Sequence, residues 1–341
     1  MNFSDRILSW YHIHKRELPW RQTRDPYRIW LSEIMLQQTR VAQGLPYYLK
    51  FTERFPKVDD LAAAPEEEVL KLWQGLGYYS RARNLHATAR VISSDYGGRF
   101  PNSYNELLKL KGVGPYTAAA IASISYDLPH AVVDGNVYRV LSRFFGVQLH
   151  INSTEGIRYF ADLAAEVIDR ESPGEYNQGL MEFGALQCVP QNPDCNACPL
   201  SGSCEAFARD LVSDLPKKLA KKKVRERTFN YLMPVDPQFH TRLVKRKGKG
   251  IWRGLFEFPL IETQQEVSDA EIRELIERGG FSDLSTPRSV VRFNPKPLVH
   301  KLSHQHLRVT FWILHIDEPL EPSISISEMH SYPVPVLIAN F

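Results

Sequence analysis

The sequence predicts a multidomain chain, with a larger all-α domain followed by a smaller α+β domain. Its 341 residues correspond to about two domains of ordinary size. Residues 1–212 contain apolar runs of helical period with helix start and stop signals. Residues 230–341 contain short runs rich in β-branched and aromatic residues, with one amphipathic helix near 269–278. Between them, residues 213–229 are strongly basic, and we interpret them as a linker.

Composition is that of a globular protein without a membrane span. Apolar residues make up 43% of the chain, which is enough to bury a sizeable core. The net charge of +3 is too small to indicate a nucleic-acid partner by itself. The sequence has neither an apolar run of about 18 residues nor a signal-peptide pattern. We therefore expect a cytoplasmic protein.

The four cysteines form a local cluster, Cys188-x6-Cys195-x2-Cys198-x5-Cys204. Such a cluster in a cytosolic chain indicates a metal site and not disulfides. Four thiolates can hold a zinc ion or an iron–sulfur cluster, and the spacing alone does not decide between them. No position looks open for a reacting ligand, so we expect a structural role.

The segment LKGVGPYTAAA, residues 110–120, predicts a helix-hairpin-helix over about 104–126. Gly112 and Gly114, on either side of Val113, allow the backbone to approach a phosphate closely. The N–H groups at the start of the following helix can then bind that phosphate. Such a hairpin binds DNA without reading its sequence. The alternative is an ordinary helix–helix turn that contains glycine.

Two carboxylates are candidate catalytic groups. Asp134, in HAVVDGNVYRVL, follows an apolar run and is placed to cap a helix. A carboxylate there could also stabilise the positive charge of an oxocarbenium ion on a bound sugar. Glu33, in WLSEIMLQQTR, lies at the edge of an apolar stripe, where burial would keep it protonated near neutrality. The structural alternatives are a plain N-cap for Asp134 and a surface glutamate for Glu33.

Several motifs in one order resemble a known family. They are SEIMLQQTR, GLGYYSRARNL, LKGVGPYTAAA, VDGNVYRVLSR and the 6-2-5 cysteine spacing. Together they resemble the endonuclease III superfamily of DNA glycosylases, and more narrowly the MutY-type adenine DNA glycosylases. The resemblance implies a helix-hairpin-helix glycosylase domain over 1–212, with a [4Fe–4S] cluster held by the cysteines of loop 188–204.

The resemblance also implies a reaction and the residues that perform it. The enzyme would hydrolyse the N-glycosidic bond of adenine mispaired with 8-oxoguanine or guanine in double-stranded DNA, leaving an abasic site. Glu33 would protonate N7 of the flipped adenine, and Asp134 would stabilise the sugar cation. Asn136 and Tyr116 would position Asp134 and the attacking water. The remaining implied contacts are Trp20, Arg21 and Gln178 in the adenine pocket, and Gln38, Thr39, Leu76 and Tyr78 in the base stack or beside 8-oxoguanine.

Tyr116 distinguishes two kinds of enzyme with this fold. The bifunctional relatives have a lysine at this place, whose amine forms a Schiff base that leads to strand cleavage. Tyrosine cannot form that imine, so we expect hydrolysis by water. Two alternatives stay open at this point: a bifunctional pyrimidine glycosylase/lyase of the same fold, and a non-catalytic DNA-binding protein.

The C-terminal segments WRGLFEFP, residues 252–259, and RELIERGGF, residues 273–281, resemble parts of a Nudix fold. The full Nudix box has a glycine and a glutamate where this chain has Pro259 and Gln265. Because acids that would hold magnesium are missing, we do not expect pyrophosphate hydrolysis. The resemblance implies instead a domain that recognises 8-oxoguanine.

Ser303 and His304 stand where the family has a Phe-Ser-His loop, with Leu302 in place of the phenylalanine. This replacement removes any aromatic wedge and leaves the hydrogen bonds of Ser303. The expected partner is duplex DNA that contains the mispair. We expect a monomer without membrane contact, associated with the nucleoid in a bacterial cytoplasm. A protein partner of the linker is left open.

Overall fold

A computed structural model describes residues 2–220, 224–279 and 286–341. Their backbone divides into two units, each with its own contacts. The helical unit comprises Met1–Ala63 and Asn84–Ala220, and the mixed unit comprises Ala64–Arg83 and Lys221–Phe341. No local pattern in the sequence predicts that residues 64–83 group with the C-terminal segment. The predicted domain boundaries, at 212 and 230, stay a prediction. No helix in the described ranges is both long and apolar enough to cross a membrane.

Helices dominate the first 212 residues, as predicted, and the sheet strands follow. In chain order the helices are α1 Phe3–His14, α2 Pro26–Leu36, α3 Val41–Arg54, α4 Val58–Ala63, α5 Glu66–Leu72, α6 Ser80–Asp95, α7 Tyr104–Lys109, α8 Pro115–Tyr126, α9 Gly135–Phe144, α10 Thr154–Val167, α11 Pro173–Leu186, α12 Glu205–Ala208, α13 Asp269–Arg278 and α14 Val336–Ala339. The strands are β1 Arg225–Val235, β2 His240–Thr241, β3 Val244–Lys245, β4 Phe256–Glu257, β5 Leu260–Thr263, β6 Ser289–Arg292, β7 Leu298–Lys301, β8 Gln305–His315 and β9 Ile324–Ser325.

Helix α8 is the centre of the helical unit. Its small, apolar sequence is buried at every position from Thr117 to Ile124. Small side chains let neighbouring helices approach closely, and a Cβ at Gly174 of α11 would lie 2.6 Å from the Ser123 carbonyl oxygen. Helix α2 packs against α8 and buries all but a few of its own side chains. These two helices hold Glu33 and Tyr116.

Helix α11 brings a second set of polar residues to the same region. It packs against α1, α8 and α9. A Cβ at Gly184 would lie 2.6 Å from Cβ of Asn136, so only glycine permits this approach to the first turn of α9. Gln178 and Glu182, one turn apart on α11, therefore lie near the N-terminus of α9.

The mixed unit is built on a five-stranded sheet in the order β5-β1-β8-β6, with β7 also paired to β8. The long central strands β1 and β8 are parallel, and the other pairs are antiparallel. Helix α13 covers one face, where Ile272 and Ile276 pack with Trp312 and Leu314. The predicted α+β class and the predicted helix at 269–278 are confirmed. Residues 221–223 of the predicted linker, and 280–281 of the Nudix-like motif, lie outside the described residues.

Candidate active site

An open cleft of about 990 Å³ lies in the helical unit. Its walls come from α2, α8, α9 and α11 and from the turns beside them. The predicted site residues that line it are Trp20, Arg21, Glu33, Gln38, Thr39, Gly114, Tyr116, Asp134, Asn136 and Gln178. The fold thus brings together in one cleft side chains that are up to 158 positions apart in the sequence.

Glu33 is a buried acid on α2, with only 7% of its surface exposed. Burial raises the pKa of Glu33 to about 7, the charge of Asp134 adds to the rise, and a hydrogen bond with Tyr116 opposes it. The carboxyl therefore holds a proton in a large fraction of molecules at neutral pH, and it can donate that proton to a ligand. This burial excludes the alternative that Glu33 is an ordinary surface glutamate.

Tyr116, the second residue of α8, lies between Glu33 and Met181. Its hydroxyl donates to Sδ of Met181 at 3.1 Å and also shares a hydrogen bond with the Glu33 carboxyl. The phenol has a single hydrogen, so it donates either to the Met181 sulfur or to the Glu33 carboxylate, and donation to the carboxylate favours the ionised form of Glu33. Burial and the charges of Glu33 and Asp134 raise the pKa of Tyr116 well above its ordinary value, so it stays a neutral phenol.

Asp134 caps the first turn of α9, as its sequence predicted. Its Oδ1 accepts from the backbone N–H of Asn136 at 2.9 Å and of Val137 at 2.8 Å. Its Oδ2 accepts from the Asn136 side-chain amide at 2.9 Å. Burial raises the pKa of Asp134, while these three hydrogen bonds favour the ionised form. The carboxylate that caps α9 is therefore also the one that lines the cleft, and the first turn of its own helix holds it in place.

Asn136 is held in turn by Arg139, a residue to which the sequence assigned no role. Arg139 donates to Oδ1 of Asn136 at 2.9 Å, which leaves the amide nitrogen facing Asp134. The same guanidinium donates to the carbonyl oxygens of Gly184 and Cys188. Arg139 thus joins the first turn of α9 to the end of α11 and to the start of the cysteine loop.

Arg21 is fixed by a buried carboxylate, Glu182, that the sequence did not single out. Arg21 donates to both Glu182 oxygens at 2.8 Å, and Arg16 donates to them through its backbone and its side chain. Burial alone would raise the pKa of Glu182, but the hydrogen bonds from Arg21 and Arg16 lower it to about 2. A cluster of two guanidiniums and one carboxylate therefore holds the Arg21 side chain at the cleft.

Two further predicted residues have defined partners in the same wall. Oε1 of Gln178 accepts a hydrogen bond of 2.8 Å from Tyr11. Trp20 is buried and packs edge-on against Tyr48, with ring centroids 5.1 Å apart. Gln178 therefore faces the cleft with its amide already anchored, and Trp20 gives the cleft an apolar side.

Gln38 and Thr39 follow the end of α2 in a tight turn. Gln38 has a positive φ of 55°, and the Thr39 N–H donates to the Leu36 carbonyl oxygen at 3.1 Å. This turn brings both side chains to the cleft.

The predicted helix-hairpin-helix consists of α7, a glycine turn and α8. Gly112 has a φ of 81°, and a Cβ on it would lie 2.8 Å from Cβ of Asn84. Val113 is buried, while Gly114, the N-cap of α8, faces open space. The turn is therefore anchored by one apolar side chain and presents bare backbone on either side of it.

The four cysteines line one small cavity of about 30 Å³ whose other walls are largely apolar. The Arg143 guanidinium lies 3.5 Å from Sγ of Cys188, and the Arg143 carbonyl oxygen lies 3.5 Å from Sγ of Cys204. Burial raises the pKa of the Cys198 thiol to about 11, so a metal that binds there must displace protons. Over the described ranges, no three His, Cys, Asp or Glu side chains converge on a single metal-ion position.

Four predicted residues lie in the mixed unit and not in the cleft. Leu76 is buried, whereas Tyr78 is 44% exposed and has a positive φ of 49°. Ser303 and His304 are exposed at the turn between β7 and β8, with Oγ of Ser303 3.4 Å from Nδ1 of His304. Leu302, half-buried, begins that turn.

Family models match both halves of this architecture. Residues 31–162 match the HhH-GPD superfamily of base excision DNA repair proteins, and residues 231–341 match the NUDIX domain. Among solved structures, a thermostable thymine-DNA glycosylase is similar with a TM-score of 0.56 and 34% identity, over 60% of this chain and 95% of that one. A non-covalent endonuclease III–DNA complex shares the fold with a TM-score of 0.53 and 24% identity, over 61% of this chain and 94% of that one. The fold and cleft define a helix-hairpin-helix base-excision protein with a NUDIX domain.

Curated relatives narrow this class. An adenine DNA glycosylase of Buchnera aphidicola subsp. Baizongia pistaciae is 39% identical, over 78% of this chain and 75% of that protein. The adenine DNA glycosylase of Mus musculus is 34% identical, over 93% of this chain and 71% of that protein. The chain belongs to the adenine DNA glycosylase family. The predicted family, fold class and enzyme class, a monofunctional glycosylase, are confirmed.

Proposed function

We propose that this cleft hydrolyses the N-glycosidic bond of an adenine extruded from duplex DNA, opposite 8-oxoguanine or guanine. The observation that supports it most is the pair of carboxylates with different environments in one cleft. Burial raises the pKa of both groups, to about 7 for Glu33, but only Asp134 has three hydrogen bonds that favour its ionised form. One proton donor and one anion are what cleavage of a base from a sugar requires.

Binding the base comes first. The target bond lies inside a stacked duplex, so the nucleotide must be extruded at a cost of a few kcal/mol. In our proposal the buried Trp20 packs on the extruded adenine, and the anchored Gln178 amide forms hydrogen bonds with its edge. Arg21, held by Glu182, adds a donor in a fixed position.

The bond then breaks with the help of both carboxylates. Glu33 donates its proton to N7 of adenine, so the electron pair of the N-glycosidic bond leaves on a neutral base. The sugar carbon becomes an oxocarbenium ion, which the Asp134 carboxylate stabilises. Water adds to that carbon and returns a proton to a carboxylate, which gives adenine and an abasic site. Asn136 and Tyr116 orient Asp134 and the water.

The exposed turn that contains Ser303 and His304 would detect 8-oxoguanine, and Leu302 would add an apolar contact there. Gln38 and Thr39 of the cleft, and Leu76 and Tyr78 of the mixed unit, would contact the DNA bases beside the extruded nucleotide. The hairpin residues Gly112, Val113 and Gly114 would bind the phosphate backbone. A monomer that acts on DNA in a bacterial cytoplasm remains our expectation.

The cysteine loop fits a [4Fe–4S] cluster. Cys188, Cys195, Cys198 and Cys204 surround one cavity, and four thiolates are the usual ligand set of such a cluster. When bound, the cluster would supply structural cross-linking of the loop and no chemistry at the sugar. Metal analysis of the purified protein tests this. Four irons and four sulfides per chain would support it, and stoichiometric zinc would overturn it.

A single-turnover assay tests the reaction itself. A labelled duplex with adenine opposite 8-oxoguanine is incubated with excess protein and divided into two portions, one quenched in hot alkali and one in mild buffer. Strand breaks only after alkali are expected, because an abasic site breaks in alkali and no amine attacks the sugar. Breaks in both portions would indicate a lyase. No breaks in either portion, with DNA still bound, would overturn the proposal.

A further inference from the structure

A basic hairpin in the mixed unit has no role in the reaction described above. Strands β3 and β4 pair antiparallel, and the segment between them, residues 246–255, reads RKGKGIWRGL. It contains four basic residues, three glycines and no acid. We call residues 246–255 the basic hairpin.

The base of the basic hairpin is firmly held. The Arg246 guanidinium donates to Glu257 at 2.6 Å, and Lys245 pairs with Glu67 at 2.9 Å. Trp252, 8% exposed, packs edge-on against Phe229 with ring centroids 6.3 Å apart. These contacts pair the cations nearest the sheet with acids and anchor the base of the basic hairpin.

The tip of the basic hairpin, residues 247–250, is by contrast exposed and keeps its positive charge. Lys247 and Lys249 are exposed, and neither has an ion pair to an acid within the described ranges. A Cβ at Gly248 or Gly250 would meet no atom within 4 Å. The tip therefore offers two exposed lysines on either side of a glycine with open space around it, which lets phosphate oxygens approach closely.

The mixed unit contains a second feature suited to nucleic acid. Arg83 donates to the carbonyl oxygen of Arg253, and Gly254 packs against Leu70, so the basic hairpin contacts the segment 64–83. That segment exposes the ring of Tyr78 in a loop with positive φ. The mixed unit therefore has both an exposed aromatic ring and a basic tip, the two kinds of feature that nucleic-acid-binding proteins use for base stacking and phosphate contact.

We propose that Lys247 and Lys249 bind phosphates of the duplex, so that the mixed unit holds the DNA backbone independently of any contact to a damaged base. This inference rests on the proposed function, since it takes duplex DNA as the ligand. Charge complementarity favours this ligand, because the hairpin has no acid to oppose a phosphate.

Salt dependence of binding tests the proposal. The probe is a duplex with an uncleavable tetrahydrofuran abasic analogue opposite 8-oxoguanine, and Kd is measured for the full chain from about 50 to 200 mM salt. Each lysine bound to a phosphate contributes about 0.9 to the slope of log Kd against log salt. The double variant Lys247→Ala, Lys249→Ala is expected to lower that slope by about 2 and to weaken binding most at low salt.

The matched control removes the same charge from the same unit. Arg278 and Arg288 are exposed cations paired with Glu274 and Asp317, so the double variant Arg278→Ala, Arg288→Ala should keep the wild-type slope. An unchanged slope for the lysine variant, or equal losses in both variants, would overturn the proposal. Adenine release by the wild-type chain, measured in parallel, separates a failure of this inference from a failure of the proposed function.

Discussion

The Tyr116 hydroxyl and the Glu33 carboxyl share a hydrogen bond inside the cleft, although they stand on different helices. This bond lowers the pKa of Glu33, whereas burial raises it, and the balance is a pKa of about 7. The acidity of the proposed proton donor is therefore set by the packing of α2 against α8. A change in Tyr116 should alter the pH at which the acid is available.

The rate of adenine release should fall as pH rises through about 7, because only protonated Glu33 can donate. In Tyr116→Phe the opposing hydrogen bond is lost, so the pKa of Glu33 rises and the fall moves to higher pH. Single-turnover rates from about pH 5 to 9 measure both curves. Glu33→Gln is the control and should release no adenine at any pH. If the pH profile of Tyr116→Phe coincides with that of the wild type, the hydrogen bond does not set the pKa of Glu33.

Burial of Glu33 should also cost stability at high pH. Its pKa in the folded state lies above the ordinary value of 4.5, so its contribution to stability is full below about pH 4.5 and is lost as pH rises through about 7. Glu33→Gln removes this loss. Between pH 4.5 and pH 8, the free energy of unfolding of the variant should therefore rise by about 3 kcal/mol relative to that of the wild type. Urea unfolding at the two pH values measures it. Glu166→Gln, on an exposed face of α10, should show no such difference.

Asp134→Asn should separate catalysis from folding. Asparagine caps a helix about as well as aspartate, so the free energy of unfolding should change by less than about 1 kcal/mol. Loss of the negative charge should slow adenine release at least about 100-fold, since the sugar cation loses its stabilising partner. Single-turnover rates and duplex affinity are measured together. Retained binding with lost release is expected, and release at the wild-type rate would refute the role of Asp134.

Local sequence signals pointed to two residues of the cleft, Asp134 and Glu33, and the other predicted residues came from the family resemblance. Asp134 was predicted to cap a helix because an acid followed an apolar run, and it does cap α9. Glu33 was placed at the edge of an apolar stripe, and it is buried. Arg139 could have been found as well, because it stands three residues after Asn136 and so on the same helix face.

Partners far apart in the sequence could not be found in this way. Glu182 lies 161 residues from Arg21, and an ion pair over that distance leaves no period or spacing in the chain. Tyr11 and Gln178 are likewise joined only by the packing of α1 on α11. The grouping of residues 64–83 with the C-terminal segment also depends on tertiary contacts and has no local signal.

Glu182→Gln should destabilise the chain and loosen the base pocket. The carboxylate is 1% exposed and accepts from both Arg16 and Arg21, so its loss leaves the half-buried guanidinium of Arg21 without a counter-charge. Breaking a buried pair of this kind costs about 3 kcal/mol. The pKa of Glu182 is lowered to about 2, so its contribution is present above about pH 4.5 and is lost as pH falls through about 2. The free energy of unfolding of the variant should therefore be lower than that of the wild type near pH 7, and it should change less as the pH falls.

Urea unfolding at pH 7 and at pH 3 measures the effect of Glu182→Gln, and steady-state kinetics measures its effect on the base pocket. We expect KM to rise, because Arg21 loses its fixed position beside the adenine. Glu274→Gln is the matched control, since Glu274 pairs with Arg278 on an exposed helix face and should change stability by less than about 0.5 kcal/mol. Equal stabilities of the two variants would mean that the Arg16–Glu182–Arg21 cluster contributes no more than a surface ion pair.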